Sequence, residues 1–465
     1  MGALKGHGEP CGNAMHVQTT LLTSLGLIPI INGTKSKFFN KLPYFTTVVI
    51  IIGCTVLFAA QLGMVIHAIF ITDDPNEPQD FKLKVNSTMQ LLTDLTYGLM
   101  CLRAIAVLSF LAKHRRAWGT LVKRANNVIQ KISMRDSSYP IFSEVWRKTS
   151  LLAAVLISVA VLLVECCSWS DEFLYKYDNQ SIFATNALAP LPLNFPVWPY
   201  ILLWTIFVTV PFVVSLQLSA CLMIFGQILT DSIRVMTKKL EDLIDIAKFD
   251  YDENQVDRSF DDLAVKCAAT TKAVEETIVL HLSVVHFSDA LNSVFGGLFC
   301  AGYCLDVLML LSYVVGLLAG AVKEADVTDV VENTFGALIF CVFCVVFYTP
   351  LIMAYEQGIK FNQTFSRLSN SLLPISRTAA GRSLFTLLQI YADGNTEPLI
   401  EFHGAELIHV TRVFVVKTFA FTASLAVVAY RIMSKQRAEQ MIADAMAMMD
   451  THLQIHDGHN GTTHH

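Results

Sequence analysis

The sequence predicts an all-α integral membrane protein with seven transmembrane helices, a cytoplasmic N-terminus and an extracellular C-terminus. Three observations carry that expectation. Of 465 residues, 53% are hydrophobic and only 16% are charged, against roughly one quarter charged in average soluble domains. The chain is interrupted by charge-free gaps as long as the roughly 20 apolar residues that a helix needs to cross a bilayer core. Its basic residues also cluster between alternate gaps. No Pro/Gly/Ser linker separates balanced blocks, so one membrane domain is expected rather than several soluble ones, and a soluble enzyme is excluded. A net charge of −5 and a pI near 6.2 leave no basic footprint for nucleic acid.

Taken in order, residues 1–41 carry Lys5, Lys35, Lys37 and Lys41 without the apolar core of a cleavable signal, and predict a cytoplasmic leader. The seven-transmembrane domain then occupies 42–433. Charge-free gaps at 42–72, 179–230 and 333–355 predict spans one, four and six, because lipid-facing backbone must satisfy its own hydrogen bonds as helix. Spans two (89–112), three (150–169) and five (290–322) are apolar but hold Asp94 and Arg103, Glu165, and Asp306 respectively. Span seven, 413–432, is the shortest. Lys417 and Arg431 leave 13 uncharged residues between them, with Thr418, Thr422 and Ser424 among many Ala. Pro211 and Pro350 predict kinks in spans four and six.

With the N-terminus inside, 26 of the 34 Lys and Arg fall in cytoplasmic segments and seven outside, a strong positive-inside bias. Three of five N-x-S/T sequons, Asn86, Asn179 and Asn460, fall outside on this topology, while Asn32 and Asn362 fall inside. Three cytoplasmic stretches, about 112–148, 231–289 and 356–412, have helical patterning. In the second, Ile233, Met236, Leu240, Leu243 and Ile244 follow amphipathic spacing, and the uncharged run of span four enters it without a breaker. Helices continuing beyond the bilayer and packing on one another beneath it are expected, as a platform for oligomer contacts. A short helix is expected near 382–391. Residues 434–465 are expected to form an extracellular tail, with a short amphipathic helix over 434–450 after the last span.

No nucleotide loop, serine elbow or metalloprotease helix occurs, and no cofactor is implied. The 11 Cys lie mostly within spans, where buried thiols are ordinary apolar residues, so neither a disulfide nor a metal centre is assigned. An ionisable group inside a span is costly and marks function by default. Asp94 and Glu165, in the outer halves of spans two and three, are therefore candidate ligand contacts, with structural hydrogen bonding and an interfacial position as their respective alternatives. Tyr97, Trp204, Phe207 and Phe340 supply the apolar lining that a small-molecule pocket requires; an interfacial aromatic belt also accounts for some of the aromatics in these spans. Span seven fits a helix shielded from lipid and lining water, or one buried in the bundle with small residues for close packing.

These residues also carry a resemblance. The inverted seven-span layout, span four extending into a cytoplasmic helix, the pattern His281, His286, Leu291, Asn292, Phe295, Gly296 entering span five, and the closing FVVKTFAFTASLAVVAYR resemble the arthropod gustatory and odorant receptor superfamily. The resemblance implies a ligand-gated cation channel of four like or related subunits in the plasma membrane, joined by a cytoplasmic anchor domain. It implies a small-molecule pocket among spans two, three, four and six and one central pore lined by the last helix. Registered on Thr422, Phe419, Ala423, Ala426 and Tyr430 fall on the pore side. Ala423 and Ala429 replace the family's usual Tyr and Gln, so a divergent, gustatory-receptor-like member is implied. A seven-span receptor signalling without conduction, or a transporter, are the alternatives.

Overall fold

The computed structural model describes Met15, Gln18 and Leu202, and residues 42–70, 81–134, 139–176, 205–247, 260–323, 327–373, 379–394, 400–404 and 408–460. These form α1 (Leu42–Phe70), α2 (Phe81–Ser133), α3 (Tyr139–Lys176), a π-helical turn (Thr205–Thr209) opening α4 (Val210–Ala247), and α5 (Phe260–Lys323). There follow α6 (Val327–Val346), α7 (Thr349–Ser371), α8 (Ala379–Gly394), a two-stranded antiparallel ribbon of β1 (His403–Gly404) and β2 (Ile408–His409), and α9 (Arg412–Asn460).

Among the described residues, five stretches are long and apolar enough to cross a membrane: Ile141–Leu163, Thr205–Asp245, Cys267–Leu318, Val330–Ser371 and Arg412–Glu439; Phe45–Ala59 is a shorter apolar helix. The chain is a multi-pass helical membrane protein. Helix length explains its second storey. The 64 residues of α5 extend about 96 Å at 1.5 Å per residue, roughly three times the hydrocarbon thickness of a bilayer. Helices this long continue beyond any bilayer, and they pack on one another. Trp118 of α2 lies between Phe225 of α4, at 6.0 Å, and Phe295 of α5, at 5.7 Å; Phe225 also meets Phe287 edge-on at 5.8 Å. All four side chains are fully buried.

The two prolines act at helix starts. Pro211 follows the π-helical turn, whose wider winding accommodates the missing N–H at the entry to α4. Pro350 stands in the first turn of α7, after a break at Phe347 and Tyr348 that ends α6. The broken segment is gripped by α4: Thr230 Oγ1 donates to Pro350 O at 2.8 Å. A Cβ on Gly226 would stand 3.1 Å from Pro350 and from Leu351, so glycine permits the close approach of α4 and α7.

Residues 379–394 form α8 near the expected position. The helix expected over 434–450 is present and runs on from the last span without a break, in α9. The junction, Met433 to Gln440, contains neither Gly nor Pro and consists mostly of good helix formers, with a Lys435–Glu439 pair one turn apart at 3.7 Å.

Candidate ligand and pore sites

A buried charge pair sits at the centre of the bundle. Arg103 of α2 and Asp306 of α5 are completely buried and joined bidentately, Nε to Oδ1 at 2.5 Å and Nη2 to Oδ2 at 3.1 Å. The other guanidinium protons reach α4, where Nη1 donates to Ser215 Oγ at 2.5 Å and Nη2 to Ser219 Oγ at 3.0 Å. Tyr348, at the break between α6 and α7, donates its hydroxyl to Asp306 Oδ2 at 3.4 Å, and the Phe212 ring lies 5.9 Å from Arg103 Cζ. Removing two charges from water is tolerable only when they are paired and fully hydrogen-bonded, and here three helices and a helix break supply the partners. Asp306 was legible as an intramembrane acid. Its partner was not, because the two residues are 203 positions apart.

Two turns along α2 from Arg103, Thr96 and Ser312 share a hydrogen bond at 2.6 Å between α2 and α5. Beyond it lies an aromatic cluster. Phe340 of α6 is buried and packs on Tyr313 at 5.7 Å, Phe212 at 6.2 Å and Phe343 at 5.8 Å; Phe343 continues to Phe347 at 4.9 Å. Phe207, in the π-helical turn, is half-buried with its ring in a notch of α1: a Cβ added to Gly53 would stand 2.1 Å from it, and Cys54 Sγ donates to the Phe207 carbonyl at 2.9 Å. Asp94 and Tyr97 lie on α2 and Glu165 on α3. Their side chains, and Trp204 altogether, lie outside the described residues.

On α9 the expected pore residues divide. Thr422 and Ala426 are buried against the subunit's own bundle, and Phe419 is packed on it in part. Ala423 and Tyr430 are exposed. The helix is fastened at its start, where Arg412 Nη2 donates to Glu356 Oε2 of α7 at 2.7 Å and Phe414 meets Tyr303 of α5 at 5.2 Å. Its exposed surface carries Lys417, Ser424 and Arg431 at sevenfold spacing, beside Val416, Phe421, Val427 and Val428.

The junction of α5 with α7 and α8 gives His281 a role that the sequence pattern did not reveal. Its ring stacks on Phe361 at 4.5 Å, stands edge-on to Tyr391 at 5.8 Å, and shares a hydrogen bond between Nδ1 and the Tyr391 hydroxyl. Burial holds the imidazole down to about 4 and pushes the Tyr391 hydroxyl up. His286 is exposed. Asn292, from the same pattern, clasps the ribbon: its Nδ2 donates to Glu401 O at 2.7 Å and its Oδ1 accepts from His403 N at 3.1 Å.

The class of protein defined by this architecture is a multi-pass helical bundle whose helices extend into a second packed layer and whose last long helix stands at the margin. That architecture is shared with solved structures of an insect olfactory receptor. The chain superposes on olfactory receptor OR5 from Machilis hrabei in complex with eugenol with a TM-score of 0.57 and 11% identity, over 91% of this chain and 99% of that one. A second structure of the same receptor matches with a TM-score of 0.56 and 10% identity, over 90% and 98%. No family model matches the chain, and no curated protein matches it in sequence. The chain therefore has the fold of an insect olfactory receptor over nearly its whole length.

Proposed function

We propose that the chain is a divergent member of the arthropod gustatory and odorant receptor superfamily, and a non-enzymatic chemosensory receptor of the plasma membrane. In this reading it works as a ligand-gated, non-selective cation channel. Four like or related subunits surround one pore, and each holds a small-molecule pocket lined by Asp94, Tyr97, Glu165, Trp204, Phe207 and Phe340. The N-terminus is cytoplasmic and the C-terminus extracellular. Phe419, Thr422, Ala423, Ala426 and Tyr430 are assigned to the pore segment. The neighbour solved with eugenol supports a small, largely apolar ligand.

The observation that carries the reading is the exposure of α9. Only 11% of its most apolar stretch is buried in the subunit, and its exposed side includes Lys417, Ser424 and Arg431. Charges facing lipid are costly, so this stripe requires water or other copies of the chain. A central pore supplies both. The two bases favour a second reading, a relative that binds ligand without passing cations. Particle images of the purified assembly and recordings from oocytes exposed to small aromatic volatiles, eugenol among them, test the proposal. Four-fold particles and a ligand-evoked cation current are expected. A monomer without current overturns it, and four-fold particles that bind ligand silently select the second reading.

A further inference from the structure

The ribbon between α8 and α9 gathers three side chains that the receptor reading leaves without a task. Among the described residues, Glu401, His403 and His409 form a group of potential metal ligands, with one donor atom from each within 4.8 Å of the others. Strand geometry explains the convergence. Glu401 lies two residues before His403, at the entry to β1, and its carboxylate reaches the His403 ring. His403 and His409 are direct cross-strand partners, and such pairs bring their side chains together on one side of the ribbon. The imidazole rings stand edge to face with centroids 4.6 Å apart.

From this geometry we propose that Glu401, His403 and His409 bind one divalent transition-metal ion, with zinc the best-matched. The donor spacing supports it. Glu401 Oε2 lies 3.2 Å from His409 Nδ1 and 3.4 Å from His403 Nε2. Ligands about 2.0–2.1 Å from a tetrahedral zinc stand about 3.3–3.4 Å from one another, so these two edges already have the length of a coordination tetrahedron. Two imidazoles and a carboxylate form a three-ligand zinc set with a fourth position for water, and the 62% exposure of the His409 side chain leaves that position open to solvent. Nitrogen donors select zinc, copper, nickel and cobalt over magnesium and calcium.

The site is also held in place from behind. Asn292 of α5 binds the ribbon on both sides of Phe402, through Glu401 O and His403 N. Phe402 is buried edge-on to Phe299 at 5.5 Å, and Val410 N donates to Phe402 O at 3.1 Å. The ligand-bearing strands are thus anchored while the metal-facing side remains accessible. The alternative role for the trio is a pair of imidazole–carboxylate contacts that need no ion, in which case added metal changes nothing.

The experiment uses the full chain in detergent, stripped with a chelator and desalted after addition of zinc. Wild type is expected to retain one more zinc per chain than H403N/H409N, and zinc is expected to raise its melting temperature while leaving that of the double variant unchanged. Because both proteins keep the histidines at 456, 459, 464 and 465, metal held there cancels in the difference. Equal zinc content in the two proteins overturns the proposal. Should the double variant not fold, H409A replaces an exposed side chain and keeps the test available. Co2+ added to wild type is then expected to give the intense visible bands of a four-coordinate site, with those bands lost in H409A. Bands of equal intensity in both proteins also overturn it.

Discussion

Helices α4 and α9 are both apolar and long enough to span a bilayer, yet 78% of the most apolar stretch of one is buried within the subunit and only 11% of the other. Their polar residues mirror the difference. In α4, Ser215 and Ser219 accept from Arg103 of α2, Gln217 Nε2 donates to Ala154 O of α3 at 3.2 Å, and Thr230 donates to Pro350 O of α7. In α9, the hydroxyls of Thr418, Thr422 and Ser424 turn back to their own helix, donating to Phe414 O, Thr418 O and Ala420 O at 2.8–3.0 Å. A helix whose polar groups bind its neighbours serves as a frame. One whose span hydroxyls bond within it, as in α9 beyond the Arg412–Glu356 fastening, has fewer hydrogen bonds to break when it shifts against its neighbours.

The most severe way to break this contrast is to strip the frame of one charge. R103M or D306L alone leaves the other ion buried and unpaired, with an expected destabilisation of about 3–5 kcal/mol, while R103M/D306L recovers most of it; thermal unfolding of the detergent-solubilised protein reads both. Acid is expected to act on the layer beneath. The imidazole of His281 is held at about 4, below the ordinary 6.5, so the unfolded chain binds more protons between these values and stability falls as pH drops through them. From pH 7 to pH 5 this group contributes a loss of about 2 kcal/mol, and the melting temperature of H281F should lack that component. T230V, which removes one interhelical hydrogen bond at the α7 break, is expected to cost about 1 kcal/mol in the same assay. On the α9 side, S424A and V428A are expected to stay within about 0.5 kcal/mol for subunit stability. If either instead costs as much as T230V, α9 belongs to the frame and the contrast fails.

Much of the fold was legible because it is written in the spacing of charges. The gaps at 42–72 and 333–355 became α1 and the α6–α7 pair, and the unbroken pattern through Asp231 became the extension of α4. The candidate sites were less so. Arg103 shares span two with Asp94, but its partner comes from α5, and no local pattern encodes a contact across 203 positions. Of the proposed metal ligands, His403 and His409 sit on strands two residues long and Glu401 lies outside them, too short a pattern to show alternation. The available hint was Glu401 and His403 two apart, followed by His409 across a short loop. Asn292 stood out in the sequence, but its work as the clasp of that ribbon depends on a segment more than 100 residues away.

The unbroken length of α5 has a mechanical consequence. The helix runs from the His281 contacts with α7 and α8, past the Asp306 ion pair, to the Thr96–Ser312 hydrogen bond. Asp306 stands about 37 Å along the axis from His281 at 1.5 Å per residue. A tilt of about 5° around the Arg103–Asp306 pair would therefore sweep the far end sideways by about 3 Å, over half a helical pitch. The buried ion pair is placed as a fulcrum, and α5 as the lever that turns a small adjustment near the aromatic cluster into a larger displacement at the His281 contacts with α7 and α8.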